Sequence, residues 1–301
     1  MAFYQNLSPS EWNEKIKFLE ENYSPCRLCP RQCRAQRTKN KTGVCAAGKD
    51  VKVASFNLHH GEEPPVSGTR GSGTIFFSGC TMKCVFCQNY PISHLFNGTY
   101  YTIEQLARLF LNLQERGAHN INFVSPTPYL YHAVSALYSA AKQGLTIPIV
   151  YNTSGYERAE IIKTLTGVID VYMPDLKYHD NSISPLYSGV DDYFQVAFPA
   201  LEEMFRQVGR LLVDDDEIAI KGMILRHLIL PGHVENSKKV LKIIAESSFK
   251  ECHLSLMGQY FPAYKAVEIP GINRRILPAE YEEVKGYALS LGFSNGWFQS
   301  I

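Results

Sequence analysis

Three cysteines in one short loop are the residues of this sequence best suited to carry out chemistry. Cys80, Cys84 and Cys87 stand in C-x3-C-x2-C spacing directly after the apolar run Gly73–Gly79. A loop that leaves a strand in this way can fold three thiolates around one side of a cubane iron–sulfur cluster. Because such a cluster usually has four cysteine ligands, one iron is left open to another kind of ligand. An open position is typical of a catalytic metal site, so we predict that these cysteines hold a catalytic cluster.

A second set of cysteines lies nearer the N-terminus. Cys26, Cys29, Cys33 and Cys45 are close enough in sequence to surround one tetrahedral metal. Zinc would stabilise a segment that has too few apolar residues to fold by itself. A second iron–sulfur cluster would instead relay electrons, and the count of four ligands satisfies either metal. We therefore predict a metal site here and leave open whether it holds zinc or a cluster.

Length, charge and composition restrict the class of protein. A chain of 301 residues allows one barrel-sized domain and a small appendage. The net charge of +1 implies no polyanion-binding face, so we expect no nucleic-acid partner. The apolar runs are too short to span a membrane, and the N-terminus lacks a secretion signal. Eight cysteines in such a chain favour metal binding over disulfides, so we expect a cytoplasmic protein.

The pattern of apolar residues predicts two parts of the chain. In residues 1–72 we expect a helix over Glu11–Asn22, capped by Ser8 or Ser10, then the cysteine segment and an irregular stretch. In residues 73–301 short β-branched runs alternate with helical patterns, which predicts an α/β fold with a parallel sheet and right-handed crossovers. The predicted strands are Thr74–Ser78, Asn120–Val124, Pro148–Asn152, Val168–Met173, Met223–Leu230 and His253–Met257. The predicted helices are Thr102–Gly117, Tyr129–Gln143, Glu157–Leu165, Pro185–Val208, Val234–Ser247 and Pro278–Leu291.

The stretch Cys80–Asn89 resembles the signature of the radical S-adenosylmethionine (radical SAM) superfamily. Phe86 precedes the third cysteine, and Asn89 follows it by two residues, so we expect both to border the cofactors. The resemblance implies a partial (βα)6 barrel of the TIM type and a [4Fe-4S] cluster whose open iron binds SAM. It also implies that one electron, from a donor such as flavodoxin or ferredoxin, cleaves SAM to a 5′-deoxyadenosyl radical. That radical then abstracts a hydrogen atom.

Further motifs resemble one group in this superfamily, the PflX-like proteins, which are related to the pyruvate formate-lyase activating enzymes. These motifs lie within Cys26–Cys45, His60–Pro64, Gly71–Asn89 and Asn120–Pro128. The resemblance implies hydrogen abstraction from a glycine of a protein partner, with a small metabolite as the alternative substrate. A different class, a non-catalytic iron–sulfur protein for electron transfer, remains the third hypothesis.

The resemblance also assigns SAM contacts to the ends of the predicted strands, where catalytic groups of such barrels lie. Most of the superfamily has a Gly-Gly-Glu turn after the second strand, which contacts the amino group of SAM. This chain has no carboxylate there, so Ser125 or Thr127 would accept a hydrogen bond from the amino group of SAM. In this chain the turn after the third predicted strand contains Asn152 and Ser154. It resembles an Asp/Asn-Thr-x-Gly turn that binds SAM in the activating enzymes.

The fourth and sixth predicted strands supply the remaining assignments. Lys177 would bind the methionyl carboxylate, and Asp175 would accept from a ribose hydroxyl. Gln259 would replace a histidine that contacts the ribose in the activating enzymes. In that family a monovalent cation lies nearby, on oxygens that match Asn152, Thr153, Met173 and Asp175.

Other polar residues have two interpretations from sequence alone. His227 is either a core histidine or a substrate contact. Cys252 is expected to be a buried, inert thiol. The paired Glu62 and Glu63 either line the mouth of the substrate site or belong to a solvated turn.

Overall fold

The computed structural model describes residues 2–299, which form an α/β partial barrel around one ten-stranded sheet. The predicted fold class is therefore confirmed. The strands are β1 (Val51–His59), β2 (Ser72–Phe77), β3 (Thr99–Tyr101), β4 (Ile121–Val124), β5 (Ile149–Thr153), β6 (Val171–Pro174), β7 (Leu212–Val213), β8 (Ala219–Leu228), β9 (His253–Met257) and β10 (Gly296–Phe298).

The central part of the sheet is parallel and runs in the order β2, β4, β5, β6, β8, β9, β10. Antiparallel strands extend its edge, because β1 pairs with β2 and β3 pairs with β1. The short β7 pairs antiparallel with β8. All six predicted strands are present in the parallel part, and β10 adds a short strand that the sequence did not predict.

Helices connect the strands and cover the outer face of the sheet. They are α1 (Pro9–Tyr23), α2 (Pro64–Ser67), α3 (Tyr90–Ser93), α4 (Ile103–Glu115), α5 (Leu130–Lys142), α6 (Ala159–Thr164), α7 (Ser184–Ser188), α8 (Tyr193–Val208), α9 (Val234–Glu246) and α10 (Pro278–Ser290). Ser8, rather than Ser10, caps α1 by accepting a hydrogen bond from the backbone N–H of Glu11 at 3.3 Å. Thr102 and Gln105 form the same kind of reciprocal cap on α4.

Two of the predicted elements differ from the structure. The single helix predicted over Pro185–Val208 is two helices, because Gly189 adopts a left-handed conformation with φ of 63° and ends α7. The stretch 51–72, predicted to be irregular, contains β1 and α2. A shift of register between Val53 and Ser55 interrupts the alternation of β1, which weakens its signal in the sequence.

The segment from β1 to β2 also closes the interior of the barrel. Val66 on α2 packs against Val150, Val171 and Ile224, which point inward from β5, β6 and β8. These residues precede the C-terminal ends of their strands, so the apolar cluster lies beneath the rim where the strands end. The division of the chain at residue 72 stays a prediction, although β1 on its N-terminal side joins the sheet.

Candidate active site

A cavity of about 770 Å³ opens at the C-terminal ends of the parallel strands. This is the position where barrel enzymes build their sites, because the loops after the strands meet there. The following predicted site residues line it: Cys80, Cys84, Cys87, Phe86, Asn89, Ser125, Asn152, Ser154, Asp175, Lys177 and Gln259. Among the predicted SAM contacts, Thr127 is the exception, and it lines a small adjoining pocket together with Cys80, Ser125 and Ser154.

The cysteine loop follows β2 and brings its three sulfurs to the wall of the cavity. Each sulfur has a hydrogen-bonding partner: the Met82 N–H donates to Cys80 at 3.4 Å, the Ser93 hydroxyl donates to Cys87 at 3.2 Å, and the Ser188 hydroxyl lies 3.0 Å from Cys84. Burial raises the pKa of the Cys84 thiol to about 12, while nearby Lys177 acts to lower it. Donors to sulfur stabilise thiolates bound to iron, so this set of residues fits an iron–sulfur cluster.

The cysteines are not arranged around one ion. Within residues 2–299, no three histidine, cysteine, aspartate or glutamate side chains are grouped as ligands of a single metal ion. A cubane presents a separate iron to each ligand, so its thiolates lie farther apart than those of a mononuclear site. The metal assignments of both cysteine sets remain predictions.

Asp175 and Lys177 form a mostly buried ion pair at the end of β6. Burial acts to lower the pKa of Lys177, but Asp175 together with Cys84 and Cys87 acts in the opposite direction, and the net effect raises that pKa. Tyr193 on α8 shapes this turn, since its hydroxyl accepts from the Lys177 N–H at 2.9 Å and lies 2.8 Å from the Ser154 carbonyl oxygen. Sequence reasoning missed Tyr193 because it begins a helix 16 residues after Lys177, outside the turn itself.

The hydroxyl of Thr127 is held by a buried carboxylate that the sequence did not reveal. It donates to Glu157 Oε1 at 2.6 Å, and the Thr153 hydroxyl donates to the same oxygen at 2.5 Å. Burial raises the pKa of Glu157 to about 7. With its hydrogen committed to Glu157, the Thr127 oxygen presents only acceptor lone pairs to other groups.

A cluster of three charged side chains forms another part of the cavity wall. Arg226 on β8 donates through Nη2 to Glu62 Oε2 at 2.6 Å and through Nε to Glu63 Oε1 at 2.8 Å. Arg226 Nη2 also pairs with Glu63 Oε2, and all three side chains are largely buried. Because all three residues line the cavity, the paired glutamates belong to its wall and not to a solvated turn.

The other polar residues have clear positions. Gln259 accepts from the Gln299 amide at 3.4 Å, and Phe86 packs against Tyr260 with ring centroids 5.8 Å apart. His227 lies outside the cavity wall, fully buried, with its nitrogens 2.6 Å from the Leu176 carbonyl oxygen and 2.9 Å from the Ser237 hydroxyl. His227 is therefore a core histidine. Cys252 is buried, as expected.

The assigned cation oxygens come from adjacent strand ends, where Asn152 pairs with Met173 and Thr153 with Pro174. Asn152 lines the cavity beside Asp175. The cation itself stays a prediction that rests on the resemblance.

The N-terminal cysteine segment packs behind the loop that carries Cys80, Cys84 and Cys87. Cys26, Cys29 and Cys45 are buried, and Cys33 is exposed. A Cβ atom added to Gly79 would collide with the carbonyl oxygen of Cys45. The two cysteine segments therefore touch directly at the residue before Cys80.

Two arginines of this segment reinforce the contact. Arg31 donates to the carbonyl oxygens of Thr81 and Met82 within the catalytic loop, and to that of Gly189 at 2.8 Å. Buried Arg37 lies with Nη2 3.6 Å from the Cys45 sulfur. The N-terminal segment is therefore in direct contact with the loop that carries Cys80, Cys84 and Cys87.

Comparison with known proteins identifies the class. The family described as the radical SAM superfamily matches residues 74–211. An uncharacterized protein of Methanocaldococcus jannaschii, MJ0674, is 31% identical over 288 residues, which are 93% of this chain and 78% of that protein. A second uncharacterized protein of that organism, MJ0808, is 23% identical over 84% of this chain and 75% of its own length. Residues 74–211 therefore form a radical SAM superfamily domain, and the chain belongs to the same family as MJ0674.

Solved structures show more distant likenesses. The structure titled "Native anSMEcpe with bound AdoMet" has a TM-score of 0.45 and 15% identity, over 71% of this chain and 57% of that one. Methylornithine synthase (PylB) has a TM-score of 0.45 and 14% identity, over 70% and 59%. The chain thus spans less than two thirds of these proteins, and likenesses this distant carry no argument about function. Separately, no helix within residues 2–299 is long and apolar enough to cross a membrane.

Proposed function

We propose that this protein is a radical SAM enzyme that binds a [4Fe-4S] cluster through Cys80, Cys84 and Cys87. The observation that carries the proposal is that these three thiols, each with its own hydrogen-bonding partner, line one cavity with the Asp175–Lys177 pair. When bound, the cluster and SAM supply one-electron cleavage of the sulfonium and hydrogen abstraction by the resulting carbon radical. The chain itself supplies ligands, orientation and exclusion of water.

The residues around the cavity have distinct proposed roles toward SAM. Lys177 binds the methionyl carboxylate by a charge-assisted hydrogen bond, because Asp175 keeps it protonated. Ser125 and Thr127 accept from the amino group, and the contact of Thr127 with Glu157 supports that role by leaving only acceptor lone pairs.

Asp175 and Gln259 contact the ribose. Aromatic side chains, among them Phe86 and Tyr260, keep water from the reacting atoms at the mouth of the cavity. The monovalent cation on the Asn152 side is proposed on the resemblance alone.

The test is anaerobic reconstitution with iron and sulfide, followed by addition of SAM and dithionite and measurement of 5′-deoxyadenosine. We expect Cys84→Ala to lose cluster iron and all SAM cleavage, since two thiolates are too few to hold the cluster. Cys252→Ala is the matched control, because it removes another buried thiol that lies outside the cavity. If Cys84→Ala made 5′-deoxyadenosine at the rate of the control, the assignment of the cluster site would be wrong.

For the substrate, we propose a glycine or another Cα–H of a protein partner, with electrons from flavodoxin or ferredoxin. The support is the sequence resemblance to activating enzymes. Incubation with candidate glycyl-radical proteins and spin-resonance detection of a glycyl radical tests this. A small metabolite is the alternative if every candidate stays radical-free while SAM is still cleaved.

For the N-terminal cysteines, we propose a bound metal that stabilises the segment behind the catalytic loop. Support comes from the contact between Cys45 and Gly79 and from the link that Arg31 makes to the loop. Protein purified anaerobically should contain either one zinc per chain or iron beyond one catalytic cluster. We expect Cys29→Ser to lose that metal, and a protein with only the catalytic iron would refute the site.

A further inference from the structure

The charged cluster in the cavity wall divides into a complete pair and a surplus carboxylate. Arg226 offers two adjacent donors, Nε and Nη2, and Glu63 accepts one with each of its oxygens. This is the bidentate geometry in which guanidinium and carboxylate neutralise one another. Burial acts to raise the pKa of Glu63, but Arg226, helped by hydrogen bonds from Ser255 and the backbone, holds that pKa below its ordinary value. The Glu63–Arg226 pair therefore remains ionised and carries no net charge.

Glu62 is the surplus carboxylate. Its side chain is only 7% exposed, and it receives one bond from Arg226 and one from the Asn122 amide at 3.1 Å. A carboxylate has about four acceptor positions, so roughly half of its capacity is unused. One arginine cannot balance two buried carboxylates, and an excess charge in a largely buried position is costly unless a ligand compensates it.

A second acceptor without a partner lies beside Glu62. Asn122 is fully buried, and its Nδ2 donates to Glu62, which fixes the orientation of the amide. The oxygen at the other end of that amide, Oδ1, has no hydrogen-bond partner within the described residues. Buried polar atoms are nearly always paired, so an orphan of this kind calls for a donor. Asn122 itself does not line the cavity, so its contribution is to orient Glu62, which is the acceptor that faces the cavity.

The position of the cluster fits a substrate subsite. Arg226 on β8 is bridged to Asp175, the residue that follows β6, so the cluster lies beside the proposed SAM site. Below it, Val66 and the inward-facing valines close the barrel with apolar side chains. Glu62, the three cysteines and the Asp175–Lys177 pair all line this one cavity, so a group bound at Glu62 shares it with the proposed SAM site.

We propose that Glu62, oriented by the Asn122 amide, binds a cationic group of the substrate, an ammonium or a guanidinium. This inference rests on the proposed function, since it assigns the part of the same cavity that SAM does not occupy. Glu63 acts as a positioning residue, because it holds Arg226 and so leaves Glu62 as the acceptor with excess charge.

The test uses the reconstituted enzyme with SAM bound, kept anaerobic and without reductant. Three blocked amino acids are titrated by calorimetry: the lysine and arginine derivatives as cations and norleucine as a neutral analogue of similar size. A blocked glutamate serves as the anion. We expect either cation to bind at least tenfold more tightly than norleucine. Glu62→Gln should bring the two within about twofold, and Glu115→Gln, the same change at an exposed position on α4, should leave the preference intact.

Several outcomes would overturn the inference. These are equal affinity for norleucine and the cations, a preference for glutamate, a preference that survives Glu62→Gln, or no binding by any probe. If Glu62→Gln fails to fold, the comparison of probes on the unaltered enzyme still decides. SAM cleavage by the unaltered enzyme is measured separately, so a protein that cleaves SAM without preferring cations would refute this subsite alone.

Discussion

Replacing Gly79 with alanine tests whether the two cysteine segments depend on one another. Gly79 has φ of 90°, a conformation that side chains rarely adopt, and its N–H donates to the Ile92 carbonyl oxygen at 3.0 Å. The new methyl group would collide with the carbonyl oxygen of Cys45 and approach the Phe96 ring at 3.2 Å. The carbonyl belongs to the backbone, so the collision cannot be relieved by turning a side chain.

Gly144 provides the matched control. Its φ is 100°, similar to that of Gly79, but an added Cβ would have no neighbour within 4 Å. Both variants should lose about 1–3 kcal/mol because alanine is strained at such φ values. Gly79→Ala should lose about a further 2 kcal/mol from overpacking, because Cys45 or the catalytic loop must move.

The assay is urea unfolding of the metal-free protein, together with iron content after reconstitution. For a slope of about 3 kcal/mol per molar urea, the extra 2 kcal/mol lowers the midpoint by about 0.7 M relative to Gly144→Ala. Iron per chain should also fall in Gly79→Ala only, since the strain acts next to Cys80. Equal midpoints and equal iron in the two variants would show that Cys45 does not pack on Gly79, and the structural link between the segments would be refuted.

Three further changes test the rest of the site and the core. Lys177→Met should weaken SAM binding about tenfold to a hundredfold at unchanged iron content, because it removes a charge-assisted hydrogen bond of roughly 1.5–3 kcal/mol. Unchanged affinity in a SAM titration would place Lys177 outside the SAM site. Arg226→Met should cost about 3–5 kcal/mol of unfolding free energy at pH 7 by leaving Glu63 buried without a partner. That loss should shrink toward pH 5 as the carboxylate gains a proton, and a loss independent of pH in urea unfolding would contradict this reason. Burial lowers the pKa of His227 from 6.5 to about 4. As the pH falls, the unfolded chain therefore binds a proton at a higher pH than the folded chain does, which favours unfolding. The free energy of unfolding should fall by about 2 kcal/mol between pH 7 and pH 5. His227→Gln should remove that part of the pH dependence, and an unaltered dependence would mean that the histidine is not held neutral.

Local sequence patterns were enough to predict most of the fold. Strands such as β5 and β9 are short β-branched or apolar runs, and helices such as α4 begin at a capping box that four consecutive residues define. These signals depend on neighbours in the chain, which is why they can be read without the tertiary structure. Among the elements that were missed, β1 and β10 have weak or very short patterns and exist because a neighbouring strand pairs with them.

The same distinction holds for the site. The spacing of Cys80, Cys84 and Cys87 is a local property, because one loop must reach one cluster, and the turn with Asp175 and Lys177 is local in the same way. The position of this turn at the end of a parallel strand follows from the α/β pattern, because the parallel strands of a barrel all end at the same rim. The sequence by itself therefore determined the class of chemistry and the strand ends that surround it.

Only the tertiary structure decided which distant groups meet there. Glu63 and Arg226 are separated by 163 residues, and Glu157 reaches Thr127 across 30 residues. Such pairs have no fixed spacing, because the chain between them can have any length that the fold accommodates. Whether a carboxylate is solvated, neutralised or left in excess depends on its burial and its partners, and both are set by packing. For this reason the sequence left Glu62 and Glu63 undecided between a solvated turn and a binding site, and the fold places them in the wall of the cavity.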